Sequence, residues 1–285
     1  MSSLAKRIKI RRSQERGHAK HGWLNTYHTF SFAMYHDPRF TGWSSLRVLN
    51  EDRVAPSQGF GAHPHSNYEI FSYVISGSLE HRDTLSNREV IKRGGVQFTS
   101  AGSGIMHSEY NHSRTKPVHF LQIWLKPDQR ELEPNYQTVD FTDEEKHGRL
   151  CLIVTSKYHG ADQNTNNNNK KTKADTSADE LKEEKTPIVI NQNAQVYASL
   201  LARDEAVSYG FGPERCGYVH VCDTGGRLRL LDDRSDEEIV LEAGDGAFIQ
   251  AGTRLQLVGA NAAEEDGKRV EFLLFDLVKE KGSSW

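Results

Sequence analysis

The sequence predicts an all-β protein of two similar halves, each a β-sandwich or β-barrel. Three observations predict it. Short runs rich in β-branched and aromatic residues recur along the chain, glycine turns between them align as two copies of one unit, and helical periodicity is weak except near Asp143–His147. Many short strands bounded by Gly, Asn, Asp and Ser are the pattern of a sandwich or barrel.

The chain has 285 residues, of which 36% are apolar and 26% charged, a soluble globular balance with room for two domains. A net charge of −3 argues against a general nucleic-acid binder. No apolar run approaches the ~20 residues needed to cross a bilayer, and the basic N-terminus is not followed by the apolar stretch of a secretory signal. Three cysteines (Cys151, Cys216, Cys222) form no CxxC pair and read as reduced thiols of an intracellular protein.

In order along the chain, KRIKIRR reads as an edge strand in which Lys6, Ile8 and Ile10 alternate with charged neighbours, leaving one face solvated. His18, His21, His28 and His36 fit no common strand or helix face and read as structural or surface residues. Strands then follow at SLRVLN, IFSYVIS, EVIKR, VQFTS, HFLQIWLK and LCLIV. The stretch 160–186 is rich in Asn, Lys, Asp and Glu and nearly free of apolar residues, so it cannot bury enough surface to order itself and reads as a flexible insertion, with a short helical turn at SADELKEE. Beyond it come VYASLLA, GYVHVCD, RLRLLD, EEIVLEA, GAFIQA, TRLQLVG and VEFLLFDL. The expected domains are 1–140 and 187–285, with 141–159 as a connecting strand and linker.

The repeat aligns Gly77 with Gly225 and Gly102 with Gly252, spacings of 25 and 27 residues. Two residue pairs in the first copy carry metal-ligand chemistry. His63-Pro64-His65 places two imidazoles on one face of a strand, because residues two apart point the same way. His107-Ser108-Glu109 places an imidazole and a carboxylate likewise. An antiparallel barrel can bring the pairs together, and His63, His65, His107 and Glu109 would then bind one divalent ion with positions left open. Counted from the glycines, the same positions in the second copy are Phe211, Pro213, Leu257 and Gly259. Fold-building residues belong in both copies and site residues need only one, so the site is expected in the first half alone.

GAHPHSNYEIFSYVISG and FTSAGSGIMHSE resemble the two cupin motifs in their pirin-family forms, and RGHAKHGWLNTYHTFSFAMYHDPRF and VLNEDRVAPSQGFGAHPH are also similar to pirins. The resemblance is strong over Ile8–Pro134, weaker but colinear over Thr186–Leu277, and broken by the Asn/Lys-rich insertion. It implies a bicupin: two antiparallel double-stranded β-helix (jelly-roll) barrels packed together, with Fe(II) in the first barrel on His63, His65, His107 and Glu109, and Mn, Co, Ni, Cu or Zn as other occupants. It further implies quercetin 2,3-dioxygenase-type cleavage of a flavonol or related enolisable substrate by O₂, with Glu109 as proton acceptor. The second barrel is expected to lack a metal site. Most metal cupins take their carboxylate four residues after the second histidine. Glu69 holds that position here and is expected to stand behind the ligands, orienting a histidine. A rival reading, also in the family, is an iron-binding, redox-responsive regulator in nucleus or cytoplasm that acts through protein partners. A third, a metal-free isomerase, is disfavoured by four ligand-type residues in register. A monomer without direct nucleic-acid or membrane partners is expected.

Overall fold

The computed structural model describes residues 4–158, 185–232, 237–261 and 268–280. The 160–186 insertion, with its SADELKEE turn, therefore lies almost wholly outside the described residues. Among those residues the strands form four sheets, a seven-stranded and a four-stranded sheet for each half.

The large sheet of the first half runs Asn135–Asp140, Gly95–Ser100, Glu69–Ser76, Val118–Leu125, Leu46–Val54, Leu24–His28, Gly17–Lys20, and its small sheet runs Gly59–His65, Ile105–Asn111, Ser78–Asp83, Arg88–Lys92. The second half repeats the plan. Its large sheet runs Ile8–Arg11, Gly246–Ile249, Arg215–Val221, Val270–Val278, Ala194–Leu201, Cys151–Ser156, Ile188–Ile190, and its small sheet Ala206–Gly210, Arg254–Gly259, Leu228–Asp232, Glu238–Leu241. All pairings are antiparallel except Cys151–Ser156 with Ile188–Ile190. The helical turn expected near Asp143–His147 is present at Asp143–Lys146, where Thr142 and Glu145 form a capping box.

Strand parity places the core. On Glu69–Ser76 the odd residues Phe71, Tyr73 and Ile75 join a cluster with Tyr218, Phe248 and Phe275 of the second half. The even residues Ile70 and Val74 face the interior of the first half. The large sheets thus pack face to face, and each buried aromatic ring contributes about 1.5–3 kcal/mol to that contact. Polar links cross it too: Trp43 Nε1 donates to the Gly217 carbonyl (2.8 Å), and Glu51 Oε2 lies 3.2 Å from His220 Nε2. The second interior holds one large apolar cluster that includes Val219, Leu230, Leu257, Phe272 and Leu274. The first is broken into two small clusters separated by polar side chains.

The halves also exchange chain. Ile8–Arg11 is an edge strand, but it pairs with Gly246–Ile249 of the second half rather than with any strand of the first. Residues 1–140 are therefore not one barrel. Cys151–Ser156, expected as a connection, is an inner strand of the second large sheet. Hydrophobic pattern identifies a strand, but its partner is chosen by non-local packing. Here Arg11, 1% exposed, stacks its guanidinium 3.7 Å over Phe40 and donates to Tyr35 Oη.

Candidate metal centre

Ile105–Asn111 is the central strand of the site. Its burial alternates strictly, with Ile105, His107, Glu109 and Asn111 inward and Met106 and Tyr110 outward. Across it, His107 pairs with His63 and Ile105 with His65, while Glu109 pairs with Phe60. Three residues on one strand thus span two on the other, a bulge at Gly61–Ala62 that re-aims the histidines. The Gly61 carbonyl freed there accepts from His63 Nδ1 at 2.7 Å. Gly59 permits the close approach of the two strands, since a Cβ on it would lie 2.2 Å from the Glu109 carbonyl oxygen.

His63, His65 and His107 converge, each offering one ring nitrogen, all within 4.8 Å of one another. His63 Nε2 faces His107 Nε2 at 3.1 Å. Because His63 gives its proton to Gly61, its Nε2 is a bare donor atom. Burial, then the neighbouring imidazoles His107 and His63, push His65 down to about 4. Burial, then His63 and His81, push His107 down to about 3. Neutral imidazoles with lone pairs aimed at one point fit a divalent ion of borderline softness.

Glu109 is on the same inward face and 1% exposed, but it is not in this group. Ser72 Oγ donates to its Oε1 (2.8 Å) and Gln122 Nε2 to its Oε2 (2.7 Å), so both carboxylate oxygens are engaged. Glu69 is elsewhere. It accepts from Ser100 Oγ (2.6 Å) and the Asn191 backbone N–H (3.0 Å) on the face toward the second half. Glu69 therefore orients no histidine. The parity that linked it to His63 and His65 is lost across residues 66–68, which separate two strands of different sheets.

Several residues unflagged by the sequence reading surround the trio. The Trp124 indole packs edge-on to His65 (centroids 4.9 Å) and to Phe32 (5.5 Å). His28, read as structural or surface, is inside, with Nδ1 2.8 Å from Asn50 Oδ1. His81 and Asp83 flank His107 from the other neighbouring strand. Ser72 and Gln122 were detectable as polar residues at inward positions of otherwise apolar strands, and His81 and Asp83 as another i, i+2 pair. Beside His65, a cleft of about 450 Å³ is lined in part by Pro64, Ser66, Thr84, Ile105 and Met106. That size falls within the usual range for small-molecule sites.

Asp52 shares this interior. Its carboxyl is pushed up to about 7 by burial, with the Glu109 and Glu51 charges adding to the effect, and its Oδ1 has no hydrogen-bond partner. A folded-state value above the unfolded one means that the group's stabilisation is complete below about 3.8 and is lost as pH rises through about 7. Asp52→Asn is therefore expected to gain on the parent between pH 5 and pH 8, by an amount on the order of a few kcal/mol. Chemical denaturation at the two pH values measures it, and a pH-independent difference would contradict the assignment.

Among the described residues, the second half carries no such constellation. Leu257 lies between Leu230 and Val207, as His107 lies between Asp83 and His63. By this register His63 corresponds to Val207 and His65 to Tyr209, not to Phe211 and Pro213. Glycine counting runs through loops of unequal length and shifts the first pair, whereas Leu257 and Gly259 keep their places.

The chain can now be compared with known proteins. The pirin family model matches residues 9–125, and that of the quercetinase C-terminal cupin domain matches 180–277. A pirin-like protein of Caulobacter vibrioides is 34% identical over 71% of this chain and 77% of its own length. The chain belongs to the pirin family. The structure of the Escherichia coli bacterial pirin YhhW in complex with nickel(II) superposes with a TM-score of 0.76, at 32% identity, covering 96% of this chain and all of that one (100%). An Escherichia coli quercetin 2,3-dioxygenase is 51% identical over 46% of this chain, a match that spans only 56% of that relative. The bicupin architecture is thus shared with solved pirins. Among the described residues, no helix of this pirin-family chain is long and apolar enough to cross a membrane.

Proposed function

We propose that this pirin-family chain holds one divalent ion on His63, His65 and His107, with Glu109 as fourth ligand or proton acceptor, and cleaves a flavonol or similar enolisable substrate with O₂. The observation that carries the reading is the convergence of three imidazoles, of which His65 also borders the 450 Å³ cleft, with burial keeping His65 and His107 neutral. The likeness to the Escherichia coli quercetin 2,3-dioxygenase supports the reaction class. Fe(II) is the proposed occupant, and the nickel(II) bound by the bacterial pirin supports a site tolerant of other divalent ions. When bound, the ion supplies Lewis acidity that favours the ionised form of a substrate hydroxyl.

The protein residues divide the remaining work. His65 and Ile105 border the cleft where an aromatic substrate would lie, and Trp124 backs His65 against displacement. Glu109 is the proposed acceptor of the hydroxyl proton. Ser72 and Gln122 each occupy one acceptor site on a different carboxylate oxygen, so they orient Glu109 and leave a second lone pair on each oxygen for the proton. The regulatory alternative has no observation of its own in the structure. Oxygen-electrode traces with quercetin and a panel of flavonols test the enzymatic reading. O₂ uptake is expected only with metal-loaded protein and only when a flavonol is present, and its absence with every flavonol and every divalent metal would sink the proposal.

A further inference from the structure

His81 is fully buried beside the histidine trio, with Nε2 3.0 Å from Asp83 Oδ2. Asp83 also accepts from the backbone N–H of Leu85 (2.9 Å) and of Asn87 (3.0 Å), and from Asn87 Nδ2 (2.8 Å). A carboxylate already receiving these three donors acts as an acceptor toward His81 as well, so in the neutral ring the proton sits on Nε2 and Nδ1 is bare. That Nδ1 is buried and has no hydrogen-bond partner. The same holds for Nδ1 of His107. If His107 presents Nε2 to an ion, its proton must sit on Nδ1, which is then a buried donor lacking an acceptor. The two rings lie edge to face, with centroids 5.2 Å apart and planes at 79°. One ring thus has an acceptor without a donor, and its neighbour a donor without an acceptor. Tyr136 stacks on His81 (4.8 Å, 28°) and holds its plane.

We infer that His81, anchored by Asp83, is a positioning residue that accepts the Nδ1–H of His107 and thereby fixes His107 as an Nε2 ligand. Metal-ligating histidines ordinarily give their second N–H to such a partner, and loss of the partner weakens metal binding by about 10–100-fold. This inference rests on the metal centre proposed above. It assigns to the Asp83–His81 pair a role that the three ligands alone do not provide, extending the site to the turn at residues 83–87.

The test is calorimetric titration of the metal-stripped full chain with Ni(II). His81→Asn keeps an acceptor on the branch where Nδ1 stood, whereas His81→Gln keeps only a group near Asp83. Binding by His81→Gln is expected to weaken about 10–100-fold, and His81→Asn to restore most of the loss. Asp83→Asn, whose amide also admits the other tautomer of His81, is expected to weaken binding in the same direction and carries the test should His81→Gln fail to fold. Folded His81→Gln and Asp83→Asn proteins that bind Ni(II) as tightly as the parent would overturn the inference while leaving the metal centre standing. A parent that binds no Ni(II) would remove the centre itself.

Discussion

His107→Ala is expected to lose stoichiometric binding of a divalent ion and, with it, flavonol-dependent O₂ uptake. The affinity should fall by more than about 100-fold, since loss of a mere partner behind a ligand already costs about 10–100-fold. His107 is the pivot of the trio. It is the inward residue of the central strand, 2% exposed, with Nε2 3.1 Å from that of His63. The second half shows that the fold itself does not need an imidazole there, because Leu257 fills the corresponding position within an apolar cluster. The metal-stripped variant should therefore melt close to the parent. Metal content after dialysis, read beside the melting curve, separates loss of the ion from loss of the fold. A variant that retains one ion per chain would show that the convergence of the rings is incidental.

Glu51→Ala is expected to destabilise the protein by about 3–5 kcal/mol. Glu51 is wholly buried where the large sheets meet, and its oxygens lie 3.2 Å from Arg16 Nη2, 2.9 Å from His119 Nε2 and 3.2 Å from His220 Nε2, and accept the Asp223 N–H at 2.7 Å. Removing the carboxylate leaves the buried Arg16 charge uncompensated and several donors without an acceptor. Burial alone would raise the Glu51 carboxyl, but the His119 and His220 hydrogen bonds and the Arg16 charge outweigh it and hold the group well below its usual 4.5. The folded value is depressed, so this contribution is present above about 4.5 and is lost as pH falls further toward the folded value. Equilibrium denaturation at pH 7 measures the effect. A loss under about 1 kcal/mol would mean that the network adds little to the joining of the two halves.

The parts of the site legible in the sequence are those that obey one local rule. The i, i+2 parity of a strand puts His63 with His65 and His107 with Glu109, and the structure keeps both pairs on inward faces. Parity does not survive a loop, which is why Glu69 proves to point toward the second half and to bond Ser100 and Asn191. Nor does it disclose which groups compete for a carboxylate. The engagement of Glu109 by Ser72 and Gln122 depends on strands that meet only in the folded sheet. His81 and Asp83 obey the parity rule in plain view, but a lone strand histidine is more often structural than functional, and only the unpartnered nitrogens give it a role. The likeness of the two halves is legible in the glycine repeat. The crossing of Ile8–Arg11 into the second half is not, because a strand's pattern records its burial and not its partner.

One divalent ion is proposed to sit on three imidazoles in the first half of the chain. X-ray absorption spectroscopy of the zinc-loaded protein tests it most directly, since zinc is redox-silent and its histidine nitrogens give a shell at about 2.0–2.1 Å. One zinc per chain is expected, with about three imidazole scatterers and an oxygen contribution, falling to two imidazoles or to no bound zinc in His107→Ala. A shell made only of oxygens, or one dominated by sulfur from the cysteines, would contradict it.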